Sequence, residues 1–392
     1  MYIRFLHSFH FLDIINGGKQ QKENVLHRLN RQEENMERVA FLTSGGDCQA
    51  LNATMRGVAK TLYEKKPDIE IFGILDGYKG LIYGNYKKMK PIDFTGLLTK
   101  GGTIIGTSRQ PFKTITDPDE NGLDKVKAMI STYNKLKLDC LVILGGNGTH
   151  KTANLLSEKG LNIVTLPKTI DNDIWGTDMT FGFQSAVNIA TTAIDQIHTT
   201  ADSHGRVFIV EIMGHKAGWL TLNVGIAGGA DIVLIPEIPY DIDKVVAALK
   251  KREEEGKRFS ILAVAEGAIS KEDAALSKKE YKAKLKNNPY PSVSYEIGKE
   301  IEKRTGHEVR ITVPGHTQRG GSPCPYDRVL SSRLGSAAAE LILNEKFGYM
   351  VGIKAREVVP VPLSEVAGKL KTVPPDAKII REAKDLGISF GD

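Results

Sequence analysis

The sequence predicts an α/β protein of two similar three-layer units with mainly parallel sheets, and three observations carry that expectation. Short β-branched or aliphatic runs alternate with longer stretches of helical periodicity, as in a parallel sheet covered by helices on both faces. A second series of such runs follows the first after residue 200. Polar and glycine-rich clusters follow the carboxyl ends of the runs, where open α/β sheets bind their ligands.

In the first series, residues 39–43, 69–75, 138–144 and 163–166 read as buried strands, with helices over residues 50–63 and 150–159 from their apolar spacing. The helix expected over residues 186–198 leads into the second series. Its strands are expected at residues 207–212, 231–235, 259–265 and 309–313, with a helix over 242–255. Residues 270–291, rich in Lys and Glu and ending in Asn-Asn-Pro-Tyr-Pro, read as a solvated helix and loop.

The chain has 392 residues, 41% hydrophobic and 26% charged, enough for two globular domains. Its formal net charge of +6 suits phosphorylated small molecules, and no dense Lys/Arg run with interleaved aromatics points to nucleic acid. Cys48, Cys140 and Cys324 lack CxxC spacing, which argues against a disulfide framework or a zinc site and fits a reducing, cytoplasmic compartment. The apolar residues of the first 18 positions are interrupted by His7, Ser8, His10, Asp13 and Asn16, unlike a secretory core, and no 18-residue apolar run marks a membrane span. Residues 1–35 read as a flexible extension, with Met36 opening the folded protein.

Five clusters sit at predicted strand ends, over residues 43–47, 145–149, 167–173, 211–214 and 314–321. Gly45-Gly46 and Gly145-Gly146-Asn147-Gly148-Thr149 each precede a helix whose free N–H groups favour an anion; each alone could equally be a tight turn. In Pro167-Lys168-Thr169-Ile170-Asp171-Asn172-Asp173, two carboxylates one residue apart can divide proton acceptance and metal positioning, as phosphoryl transfer requires, although an Asp-rich turn capping a helix has the same pattern. Arg109, in Gly106-Thr107-Ser108-Arg109, could offset transition-state charge, or be a plain surface arginine. His316 and Arg319, bracketed by glycines, suit a sugar phosphate, and Glu266 could accept hydrogen bonds from sugar hydroxyls or form an ordinary salt bridge or cap.

From Met36 to about Gly352 these motifs, in order, resemble the phosphofructokinase family. The matching runs are Thr43-Ser44-Gly45-Gly46-Asp47, Gly106-Thr107-Ser108-Arg109, Thr169-Ile170-Asp171-Asn172-Asp173, Glu211-Ile212-Met213-Gly214 and the run from Gly315 to Arg328. The resemblance implies a glycolytic, Mg²⁺-dependent kinase that makes fructose 1,6-bisphosphate by phosphorylating the 1-hydroxyl of fructose 6-phosphate, in a cleft between the two units. It implies Asp171 as the base, Asp173 in support of the site and its metal, Thr169 on the transferred phosphate and Arg109 on transition-state charge. Met213, Gly214, Glu266, His316 and Arg319 then match positions that hold the sugar phosphate, with Arg206 and Arg310 completing a neighbour's pocket in a homotetramer. Residues 36–182 with about 323–365 would form the nucleotide domain, and 183–322 with about 366–392 the sugar domain. Arg56 and Lys60, four residues apart, match a region for phosphorylated effectors and equally suit a solvated basic face.

Two departures bear on the donor. Asn147 stands where ATP-using bacterial members carry Asp near Mg²⁺, and Lys168 is typical of the pyrophosphate-using branch. Pyrophosphate users generally place Asp at the position of Gly148, where it would block a nucleotide's α-phosphate; the glycine leaves that space open and favours ATP. A pyrophosphate-dependent enzyme and a non-catalytic sugar-phosphate-binding subunit are the alternatives.

Overall fold

A computed structural model describes residues 37–392, so the expected extension over residues 1–35 and the start at Met36 lie outside the described residues. The strands are β1 (Arg38–Thr43), β2 (Glu70–Ile74), β3 (Tyr86–Met89), β4 (Cys140–Gly145), β5 (Ile163–Thr169), β6 (Phe181–Gly182), β7 (Val207–Ile212), β8 (Ile232–Leu234), β9 (Ser260–Ala265), β10 (Val309–Thr312), β11 (Tyr349–Lys354) and β12 (Glu357–Pro362). They form a larger sheet in the order β12-β11-β5-β4-β1-β2-β3, with β6 alongside β5, and a smaller one in the order β10-β7-β9-β8. The smaller sheet is parallel throughout, and in the larger only the outer pairs β2–β3 and β11–β12 are antiparallel.

Burial explains which strands were visible in sequence. β4, β5, β7 and β9 are buried at every position; β4, β7 and β9 are nearly continuous apolar runs, and β5 is mainly apolar as far as Pro167 before ending in Lys168 and Thr169. Of the strands that periodicity did not mark, β3, β11 and β12 lie at or beside the margins, and β6 is a two-residue strand against the end of β5. β3, Tyr-Lys-Lys-Met, is an edge strand with three exposed residues, and β12 contains Pro360 and Pro362, which an edge tolerates. β5 runs three residues past its expected end, through Lys168 and Thr169, because β4 pairs as far as Gly145↔Pro167 and β6 pairs with Lys168 and Thr169. Thr169 is thereby a strand residue rather than a loop residue.

Helices cover both sheets. Leu51–Lys65 packs against Pro325–Leu343, where a Cβ on Gly57 or Gly335 would meet the opposite backbone at 3.2 and 2.8 Å, so glycine permits the close crossing. The helix expected from residue 150 starts at Asn147, and the one expected over 186–198 spans Phe183–His204, ended by Gly205 at φ 61°. The Lys/Glu-rich stretch forms Lys271–Ala274 and Lys278–Asn287, neither with a buried residue, as its composition implied. One apolar core packs around β1, β2 and β4, and another around β7, β8 and β9. No helix among the described residues is long and apolar enough to cross a membrane.

Candidate active site

A cleft of about 590 Å³ opens at the carboxyl ends of both sheets. Its walls combine Gly45, Gly46, Arg109, Asn147, Gly148, Thr149, Lys168, Thr169, Asp171 and Asp173 from the larger-sheet side with His215, Lys216 and Arg319 from the loops after β7 and β10.

The donor side is a turn into a helix. Gly146 precedes Asn147–Glu158 in extended conformation, no side chain among the described residues caps the helix, and its first turn, Asn147 to Thr149, lines the cleft with Gly146. Thr149 folds back so closely that a Cβ on Gly145 would lie 2.2 Å from its methyl carbon. At Gly148 a Cβ would meet nothing among the described residues within 4 Å, so that position borders open space. His150 holds the turn from behind: its backbone N–H and ring Nδ1 both bond the Gly146 carbonyl, at 3.0 and 2.9 Å. Burial depresses the His150 pKa to about 4, so the ring is neutral.

Hydrogen bonds sew the Arg109 loop to the end of β1. Thr43 Oγ1 donates to Gly106 O at 2.6 Å, Thr107 Oγ1 to Gly45 O at 2.7 Å, and Gly45 N–H to Ser108 O at 3.0 Å. Arg319 crosses toward the same place and donates from Nη1 to Asp47 O at 3.1 Å; a Cβ on Gly46 would crowd that guanidinium at 3.0 Å. Lys168, buried in β5, donates its ammonium to Gly46 O, and burial lowers its pKa.

The two carboxylates project from a loop fixed by the residue between them. Asn172 is left-handed, at φ 53°; its Oδ1 accepts from Thr180 N–H at 3.0 Å and its Nδ2 donates to Asp178 O at 3.2 Å. Asp171 N–H donates to Thr169 Oγ1 at 3.0 Å. Burial raises the Asp171 pKa above the usual carboxylate range; Arg319 opposes the rise. Burial, then repulsion from Asp171, pushes Asp173 up to about 6. Asn147 Nδ2 donates to Asp173 Oδ2 at 2.8 Å and to its carbonyl at 3.2 Å.

Among the described residues no cluster of three or more His, Cys, Asp or Glu side chains could cage a metal ion. Mg²⁺ does not need one, because it usually takes one or two carboxylates and completes its shell with phosphate oxygens and water. Asp173, with the buried Oδ1 atoms of Asn147 and Asp171 that find no partner among the described residues, fits that demand.

The other predicted residues divide by location. Glu266 Oε1 accepts from Gly214 and His215 N–H at 3.2 and 2.8 Å, and Met213 N–H donates to Gln318 Oε1 at 3.2 Å, which ties the loops after β7, β9 and β10 together beside Arg319. His316 is exposed in the short turn Gly315–Arg319. Arg206 and Arg310 are not among the cleft residues; both pair with Glu308 where β7 and β10 begin or lie exposed. Arg56 and Lys60 sit on Leu51–Lys65 and do not line the cleft either. Sequence reasoning passed over Lys151, although it lies one turn into the helix after the glycine loop. It also passed over Gln318, which is fully buried, and the segment Gly368, Lys369 and Leu370 on the cleft wall, which carries no local motif.

The phosphofructokinase family profile matches residues 38–342. An ATP-dependent 6-phosphofructokinase of Spirochaeta thermophila is 57% identical over 357 residues, covering 90% of this chain and 97% of that protein. ATP-dependent 6-phosphofructokinase 3 of Bacteroides thetaiotaomicron is 46% identical over 358 residues, covering 90% of this chain and all of the other. Among solved structures, phosphofructokinase from Saccharomyces cerevisiae superposes with a TM-score of 0.73 at 30% identity; the match covers 84% of this chain and 45% of the yeast chain.

Proposed function

The chain belongs to the phosphofructokinase family, and from that membership and the cleft's geometry we propose that it transfers the terminal phosphoryl group of ATP to the 1-hydroxyl of fructose 6-phosphate, giving fructose 1,6-bisphosphate in glycolysis. The observation that carries the reading is Asp171. It is a desolvated carboxylate with an oxygen that finds no partner among the described residues, set between a cation-lined anion cradle and the loops after β7 and β10. Desolvation raises its basicity, as a group that must take a hydroxyl proton at neutral pH requires.

Asp171 accepts the proton of the 1-hydroxyl, whose oxygen attacks the γ-phosphorus while the bond to the ADP oxygen breaks and ADP leaves with those electrons. Thr169 and the first N–H groups of Asn147–Glu158 hold phosphate oxygens, and Arg109 meets the charge that develops on the transferred group. Asp173, held by Asn147, would bind Mg²⁺, which supplies charge neutralisation between the donor phosphates. Met213, Gly214, Glu266, His316 and Arg319 hold the sugar phosphate.

Gly148 favours ATP over pyrophosphate, since open space at that position leaves passage for the α-phosphate, and the curated relatives carry ATP-dependent names. Arg206 and Arg310, away from their own chain's cleft, are the residues this reading gives to a neighbour's sugar site in a cytoplasmic homotetramer. Arg56 and Lys60 are its residues for an anionic effector. The nucleotide domain is assigned residues 36–182 and about 323–365, and the sugar domain 183–322 with about 366–392. A coupled assay of the purified protein with fructose 6-phosphate tests the donor: turnover with Mg²⁺ and ATP is expected, and a preference for pyrophosphate would reverse the assignment, giving Lys168 more weight than Gly148.

A further inference from the structure

Behind the carboxylate loop lies a connection that the chemistry above does not use. Residues 368–373 follow the helix Leu363–Val366 and run past the Asp171–Asp173 loop on their way to the smaller sheet. Leu370 bridges to Ile174, and Lys371 N–H donates to the Asp173 carbonyl at 2.9 Å. The ammonium of Lys371 donates to Thr177 O at 2.8 Å and Asp178 O at 3.0 Å, so the main chain and side chain of this residue together hold two points, Asp173 and Thr177–Asp178, of the segment that follows Asn172. The outer side of the same residue faces the other half of the molecule. Trp219 Nε1, at the start of Trp219–Ala227, donates to Lys371 O at 3.0 Å, and the ammonium stands 5.7 Å from that indole's centroid. Two residues on, Val373 N–H donates to Glu237 Oε1 at 2.8 Å, and Glu237 also receives Gly218 N–H at 2.9 Å.

We infer that Lys371 is a positioning residue for phosphoryl transfer, tying the Asp171–Asp173 loop of the larger-sheet side to the Trp219 helix of the smaller-sheet side, so that the metal-binding carboxylate keeps its place as the cleft takes up its substrates. The inference rests on the phosphoryl-transfer reading of that loop. A lysine serves where a shorter side chain fails because its main chain and its ammonium must reach different parts of one loop: three bonds run from Lys371 to Asp173, Thr177 and Asp178, and a fourth enters from Trp219. Removing the ammonium takes the donor from the carbonyl of buried Thr177, leaves Asp178 O with only its bond from Asn172 Nδ2, and loosens the loop without touching either substrate. The consequence is a fall in kcat more than a rise in KM, because geometry near the reacting atoms matters most in the transition state.

The chain has two tryptophans, Trp175 and Trp219, so a Trp175→Phe background isolates the indole that contacts Lys371. In that background Mg²⁺ with ATP is expected to shift Trp219 emission, and Lys371→Met is expected to abolish the shift. In the otherwise unmodified enzyme Lys371→Met should lower kcat at least about tenfold while KM for fructose 6-phosphate stays within about twofold, and Lys371→Arg should recover part of the loss. If Lys371→Met does not fold, Trp219→Phe, which removes the indole N–H, carries the kinetic test with the same expected split. The inference is overturned if kcat is unchanged, if both KM values rise together with thermal stability falling and no recovery by arginine, or if the emission shift survives Lys371→Met. Absence of transfer from either donor by the unmodified protein would sink the functional reading instead, while the emission response, which needs only nucleotide binding, still decides Lys371.

Discussion

Replacing Asp173 by asparagine should make the ligand-free protein more stable while disabling it. Burial and the neighbouring Asp171 raise the Asp173 pKa from the usual 3.8 to about 6, so the folded state binds this proton more tightly than the unfolded chain does. The contribution of this one group to stability is therefore most favourable below about pH 4, falls as the pH rises to about 6, and stays reduced above it, by about 3 kcal/mol at 1.36 kcal/mol per unit. An amide has nothing to ionise, and its Oδ1 can keep the 2.8 Å hydrogen bond from Asn147. Part of the desolvation cost persists for the neutral group, so a gain of about 1–3 kcal/mol at pH 7.5 is expected for Asp173→Asn. Denaturant unfolding with EDTA at pH 7.5 and again near pH 4 measures it: the gain should be present at the first and absent at the second. Added Mg²⁺ and ATP should stabilise the native protein more than the variant, since the variant has lost the carboxylate. Equal stability of the two proteins at pH 7.5, or a gain that persists undiminished at pH 4, would show that the charge on Asp173 is not what the fold resists.

Gly148→Asp should fold normally, because a Cβ there meets nothing within 4 Å, yet lower kcat/KM for ATP at least about tenfold by crowding and repelling the α-phosphate; unchanged ATP kinetics would move the phosphates away from that position. Asp171→Ala should cut kcat by about 10² to 10⁴ while fructose 6-phosphate binding, followed by direct titration, stays near normal, and near-normal turnover would remove Asp171 from the role of base. Mixing Arg310→Ala subunits with Asp171→Ala subunits should restore some activity, since certain shared pockets would contain neither lesion; full activity in a demonstrated monomer would refute the shared pocket.

What the sequence made visible follows from burial. The inner strands announce themselves because both faces are covered, and the cluster from Pro167 to Asp173 is legible because strand ends concentrate polar residues in an otherwise apolar pattern. β3 and β12 escaped because an edge strand needs only one buried face and tolerates Lys or Pro. In the site, residues to which the proposed reaction gives a chemical role, such as Asp171, Asp173 and Arg109, stood out by type and spacing, and all three line the cleft. Residues contributing a hydrogen bond across the fold could not: Gln318 reaches Met213 from 105 positions away, and Lys371 reaches Thr177 from 194. No local pattern encodes such a contact, because either partner alone is an ordinary polar residue.

The charges at the base of the cleft are held against a common opposing force. Burial disfavours the ionised forms of Asp171, Asp173 and Lys168 alike, raising the first two pKa values and lowering the third. A free chain would relieve that cost by turning these side chains to water, so something local must prevent it. Lys168 cannot turn, because it lies within a strand paired through Lys168↔Phe181 and its ammonium is bonded to Gly46 O. The carboxylates cannot turn, because Asn172 is locked left-handed between them and Lys371 fastens the backbone of Asp173 from behind. In the proposed reaction the substrates bring charges of both kinds, phosphate oxygens toward Lys168, Arg109 and Arg319 and a metal toward Asp173, to side chains that burial has already desolvated. Interactions that cost stability in the empty cleft become strong for the same dielectric reason once those charges are present. The desolvation that opposes ionisation of Asp171 also raises its basicity, as the proposed role of taking a hydroxyl proton requires.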